Sequence, residues 1–168
     1  SGDFSVDSTI HDAEIASFTQ NLSYPVSGVM NGRVLVNGKN SIITVIEGDV
    51  RGSNIVSSGV AVDSAQATFR KSGNHTDVAV VGDMGNGKIS GYGTIEGNQL
   101  NLSLSADSID ATSFNGFIGN GLAGTLTGHA LVTGDIDNVS VEGRITSPEI
   151  IYDGSRLNSI NAGFTIKD

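Results

Sequence analysis

Two glycine patterns carry the letters of phosphate-binding loops. Gly119, Gly121 and Gly124 form a GxGxxG, and Gly82 to Lys88 form a GxxxxGK. Both bind phosphate only where a strand enters the loop and a helix N-terminus leaves it, because the helix supplies the free N–H groups. Strand-type alternation over Thr125 to Thr133 follows the first pattern. In the second, Ile89 stands where a Ser or Thr for Mg²⁺ belongs, again ahead of a strand. Both read as chain reversals. Asp135 and Asp137 would give a Ca²⁺ loop two oxygens where it needs about six or more at defined spacing, and Asx-turn chemistry accounts for them. His11, His75 and His129 coexist with many Ser and Asp, but no GxSxG elbow presents a nucleophile. The N-x-S/T triplets at Asn21, Asn74, Asn101 and Asn138 are frequent by chance in so Ser-, Thr- and Asn-rich a chain. No catalytic residue, cofactor or metal site is expected.

The elements that would position any site must therefore be read for themselves. Glycine is 23 of 168 residues, proline only 2, tryptophan absent and aromatics 5%, which points to many turns in a chain with enough Val, Ile and Leu to fold. A formal charge of −9 and a pI near 4.5 argue against nucleic acid, whose binding is dominated by Lys and Arg neutralising phosphate. The same sign disfavours docking on an anionic membrane surface, while burial of apolar lipid parts stays open. Cysteine is absent, so disulfide and thiolate chemistry are excluded and the chain is compatible with cytosol or periplasm. No apolar run approaches 18 residues, and we expect residues 1–168 to be one continuous segment of something longer.

The chain repeats itself. Phe18, Gly28, Gly32 and Gly38 recur as Phe114, Gly124, Gly128 and Gly134, each 96 positions later. After the loss of one residue, Gly48, Ile55, Gly59 and Phe69 recur as Gly143, Ile150, Gly154 and Phe164, each 95 positions later. A unit of about 96 residues, roughly 18–113, is thus followed by a partial second, 114–168.

Within the units apolar residues follow period 2, not 3.6, and no helix of four turns can be placed. Val34 and Val36, then Ile43 and Val45 after the turn at Gly38 to Asn40, mark two strands; a frame change near Ser64 suggests a bulge or break, and Pro148 an interruption. Ile89 to Ile95, then Leu100, Leu102 and Leu104, then Leu126 to Val132, and Val139, Val141 and Ile145 alternate against polar partners. The fold class is all-β: a meander of roughly a dozen short antiparallel strands with one apolar and one polar face. Its apolar face can be covered by curling, by closing a barrel or by a second sheet. The small inward residues Gly91, Gly93, Gly128, Ala65, Ala67, Ala106 and Ala130 either leave space for an acyl chain or permit strong curvature; composition does not choose.

The stretches SGVMNGRVLVNG and AGTLTGHALVTGDIDNVSVEGRI, with EIIYDGSRLNSINAGFTI after the second and GNGKISGYGTIEGNQLNLSLSADSIDATSF before it, resemble the TamB branch of the AsmA-like family. The resemblance is one of pattern and period over most of residues 20–168, with no catalytic motif. It implies a periplasmic segment of an inner-membrane-anchored envelope protein of diderm bacteria, curled into an open hydrophobic groove (a β-taco) that carries phospholipid acyl chains between membranes. It also implies work with a TamA partner, an outer-membrane barrel of the BamA type, in outer-membrane assembly. The groove-lining positions would be Val34, Val36, Ile43, Val45, Ile89, Ile95, Leu100, Leu102, Leu104, Leu126, Val132, Val139, Val141, Ile145 and Phe164. Arg33 and His129 flank the glycine-led strands, and the sequence does not assign their face. Two other functions compete. A structural or adhesive β-solenoid would stack coils of 20–30 residues, shorter than this period; a β-augmentation chaperone would use a free sheet edge to hold outer-membrane strands.

Overall fold

A computed structural model of the chain describes residues 2–20 and 25–167, so the triplet at Asn21 lies outside the described residues. Ten strands follow one another: β1 (Asp3–Glu14), β2 (Val26–Lys39), β3 (Ile42–Ser57), β4 (Val60–Ser72), β5 (His75–Met84), β6 (Gly87–Glu96), β7 (Gln99–Asp110), β8 (Leu122–Asp135), β9 (Asn138–Tyr152) and β10 (Ser155–Lys167). One turn of helix, α1 (Ala16–Thr19), follows β1; a 3-10 turn (Ala111–Phe114) and α2 (Asn115–Ile118) follow β7. All ten strands form one sheet in sequence order, each antiparallel to its neighbours. β1 and β10 do not meet, so the sheet is not closed into a barrel.

The strands are fewer and longer than the apolar alternation suggested, at 10 to 16 residues. β4 runs unbroken through Ser64, and the irregularity expected there sits on the partner strand, where Asn54 takes φ +52°. β9 runs through Pro148, which lies beside a register shift between β8 and β9, where a missing N–H costs no ladder bond.

The two copies coincide strand by strand. β1 and β7 are both 12 residues, β2 and β8 both 14, and β4 and β10 both 13, whereas β3 has 16 and β9 has 15, which places the lost residue. Even the irregularities recur. A shift between Ile10 and Ala13 in β1 is matched by one between Ala106 and Ile109 in β7. In each, a residue turns left-handed, Asp12 at φ +46° and Ser108 at +55°. Its displaced N–H is recaptured by a side chain of the next strand, Asn31 Oδ1 at 2.9 Å and Thr127 Oγ1 at 3.2 Å. Such bulges bend a strand and increase its twist.

A single layer has almost no interior. Among the described residues the buried hydrophobic side chains are Met84, Ile109, Ala111 and Ile150, all at the margin where β5, β7 and β9 end and the helical turns sit. The chain exposes 10425 Å², against about 7,800 Å² expected for a compact domain of its mass. That excess is the uncovered sheet.

Candidate functional site

Cross-strand partners in an antiparallel ladder share a face, so the register reads out each face row by row. One row crosses all ten strands: Ile10, Gly32, Val50, Ala67, Val80, Gly91, Leu104, Ala130, Gly143 and Phe164. Every member is apolar. The next row on the same face is Ser8, Val34, Gly48, Phe69, Val78, Gly93, Leu102, Val132, Val141 and Ile166, with Ser8 the single exception.

The opposite face is polar and its charges pair across strands. Arg33 bonds Asp7, Arg70 bonds Glu47, Lys88 bonds Asp83, Arg156 reaches Glu149 at 2.7 Å, and Gln66 reaches Asp49 at 2.9 Å. The hydrogen bond from Arg33 holds the Asp7 carboxyl below its ordinary range, and Lys88 together with Ser64 does the same for Asp83. Exposed pairs of this kind contribute little stability each; they gather charge on this face, while Lys71, opposite Ile46, stands on the other. Arg33 belongs here, and His129, opposite Arg144 and Ser105, shares its side of the sheet.

The register brings most of the expected lining positions together. Val34, Leu102, Val132 and Val141 lie in one apolar row and Leu104 and Phe164 in another, while Val36, Ile95, Leu100 and Val139 lie in a third that Lys71 and Thr76 interrupt. Ile89 and Ile145 flank Ala106 and Gly128, and Leu126 continues the face beyond the bulge, opposite the buried Ile109. Ile43 stands at the hairpin opposite Gly38 and is 54% exposed. Val45 is a correction: it pairs with Asn37 and Ser72 on the polar side, and Ile46, opposite Val36, takes the inward place. A register shift between Asn37 and Gly38 inserts one residue into β3, and a shift of one exchanges faces. Val50, Val78 and Val80 also line the face; the alternation of Val78 and Val80 was the legible signal for the last two.

Small residues form the floor. At Gly91 a Cβ would stand 2.7 Å from Leu104 Cδ2 and 3.1 Å from Val80 Cγ1, so neighbouring aliphatics already close over the glycine. An open recess of about 310 Å³ runs over this floor, with Val80, Ile89, Leu104, Ile145 and Phe164 as walls and Ala106, Gly128 and Ala130 beneath. Ser90, Ser105, His129 and Arg144 also border the recess, but its exposed lining is almost wholly apolar.

The chemistry-bearing motifs resolve into turn geometry. Gly119, Gly121 and Gly124 all have positive φ and lead into β8. Gly82 to Lys88 is the β5–β6 reversal, closed through Gly85 at φ +58°. The Asp137 N–H donates to Asp135 Oδ1 at 3.1 Å, an Asx turn. Among the described residues no three His, Asp or Glu side chains gather to hold a metal ion. His75 is bonded by Glu96 and, at 3.1 Å, by Asp77; the two carboxylates raise its pKa above the ordinary histidine value.

What the fold defines is an open, single-layer β-meander with an amphipathic cross-section. Compared with protein-family models, curated proteins and solved structures, the chain matches none.

Proposed function

We propose that the apolar face is a lipid-binding trough that shields acyl chains from water. The observation that carries the reading is the unbroken apolar row from Ile10 to Phe164, floored by glycine and alanine and left open. Contiguous exposed apolar surface on this scale is rare unless something covers it. A row perpendicular to ten strands spaced about 4.8 Å apart is a track for an extended chain more than a pocket for a compact ligand. Together with the TamB-like pattern, this supports reading the chain as a periplasmic segment of a phospholipid-carrying envelope protein that works with an outer-membrane barrel. The stacked coils of a solenoid have no counterpart in a single antiparallel sheet.

Adjacent residues on opposite faces supply the test. Ala130→Phe fills the floor, whereas Leu131→Phe enlarges a side chain already 45% exposed on the polar side. Native mass spectrometry of the purified chain after exposure to phospholipid vesicles should find bound lipid in the wild type and in Leu131→Phe, and little in Ala130→Phe. Equal lipid occupancy in both variants, or a folded wild type that carries none, sinks the reading.

A further inference from the structure

The two long margins of the apolar face differ. Along one, the 3-10 turn and α2 leave β7, pass the β5–β6 turn and meet β4, three strands away. There the backbone of Gly116 meets that of Gly59 in the β3–β4 turn so closely that neither has room for a Cβ, and Met84 and Ala111 are buried beneath. Among the described residues the other margin carries only hairpin turns and chain ends. A Cβ on Gly73, between β4 and β5, or on Gly97, between β6 and β7, would meet nothing within 4 Å. A polar group attached to a chain in the trough keeps its water only on this open side.

One charge faces the trough there. In the three rows that cross the sheet from Ile10, Ser8 and Val6, Lys71 is the single charged member, standing between Ile46 and Thr76 near the Gly73 turn. It departs from the repeat's own pattern: Phe69 recurs as Phe164, but the place of Lys71 is taken by Ile166. Lys71 is exposed, and among the described residues no carboxylate pairs with it. Glu47, Asp77 and Glu96, on the strand ends beside it, lie on the opposite face and are bonded to Arg70 and His75. The net charge of −9 repels an anion from afar, but salt limits that repulsion to about 8 to 10 Å and leaves the local cation to decide.

We infer that Lys71 marks the headgroup end of the trough, and that its ligand is a phospholipid whose headgroup carries a net negative charge. The inference rests on the reading of the apolar face as a lipid trough. Lysine suits the place, because its methylene stem lies along aliphatic neighbours while its ammonium stays in water. From Lys71 on β4 to the Phe164 wall on β10 the trough runs about 29 Å, at about 4.8 Å per strand, which is room for an acyl chain laid out straight.

Lys71→Ile installs the residue that the second unit carries, a good strand former, and Lys71→Arg keeps the charge. Arg51→Ile removes one positive charge from the polar face, where Arg51 stands opposite Gln66. Native mass spectrometry after exposure to vesicles of phosphatidylglycerol and phosphatidylcholine in equal amounts should find the anionic lipid favoured about fivefold in the wild type, Lys71→Arg and Arg51→Ile. Lys71→Ile should carry the two without preference. Excess inorganic phosphate should leave the wild-type preference in place. A wild type without preference, a Lys71→Ile that keeps it, an equal loss in Arg51→Ile, or a preference that phosphate abolishes overturns the headgroup site and leaves the trough standing. A folded wild type that carries neither lipid removes the trough, and the site with it.

Discussion

The ring of Phe69 lies over Gly48 on the neighbouring strand, filling the space a side chain would take. Phe164 lies over Gly143 in the same way, with Cζ 2.5 Å from where a Cβ would be. Glycine weakens a strand because it adds no packing and exposes backbone, and a cross-strand aromatic ring restores both. The pairing also explains why both residues of the pair recur at one offset: neither is useful without the other.

Gly48→Ala should therefore cost about 1 to 3 kcal/mol, by forcing the Phe69 ring from its place. In the background of Phe69→Ala the same change should cost less, because the clash is gone and the two sites are coupled. Urea unfolding of the two single variants and the double variant gives the coupling directly; strict additivity would falsify the packing account.

The 3-10 turn has a definite start. Asp110 Oδ1 accepts from the Thr112 N–H at 2.9 Å and from its hydroxyl at 2.8 Å, and these bonds hold the carboxyl below its ordinary pKa. Asp110→Ala should destabilise the chain by about 0.5 to 2 kcal/mol and Asp110→Asn by much less. A lowered folded pKa means the contribution is present above the unfolded value, about 3.9, and is lost as pH falls through the folded one. Acid unfolding of Asp110→Asn should lack that component.

His75 behaves in the opposite sense. Glu96 and Asp77 raise its folded pKa, so its stabilisation is complete below about pH 6.5 and disappears as pH rises through the raised value. Between about pH 6 and 8 the unfolding midpoint of the wild type should fall relative to that of His75→Gln. An NMR titration of His75 with a midpoint at or below the ordinary value contradicts this.

Period-2 alternation made the faces legible, and the recurrence of Gly48 with Phe69 as Gly143 with Phe164 made the repeat legible, because both are local or fixed-offset signals. The failures have one cause. Counting alternate residues from Ile43 puts Val45 on the apolar face, and a bulge between them shifts the count by one. The bulge depends on how β2 and β3 pair, which no single strand's sequence records. Pro148 reads as an interruption because a proline cannot donate; the register shift beside it removes the need. The seat of the helical turn on Gly59 lay beyond reach for a stronger reason. Gly59 and Gly154 carry the same residue in the same conformation, and only their surroundings differ.

Because every strand pairs only with its neighbours in sequence, no strand waits for a distant partner to be made. Contacts of such short span close quickly, and folding can begin at any hairpin and spread in both directions. A chain threaded through a narrow opening could thus build the sheet one hairpin at a time as it emerges. By the same geometry, pulling outward on an edge strand loads one ladder at a time, so the sheet should part in small steps, strand by strand.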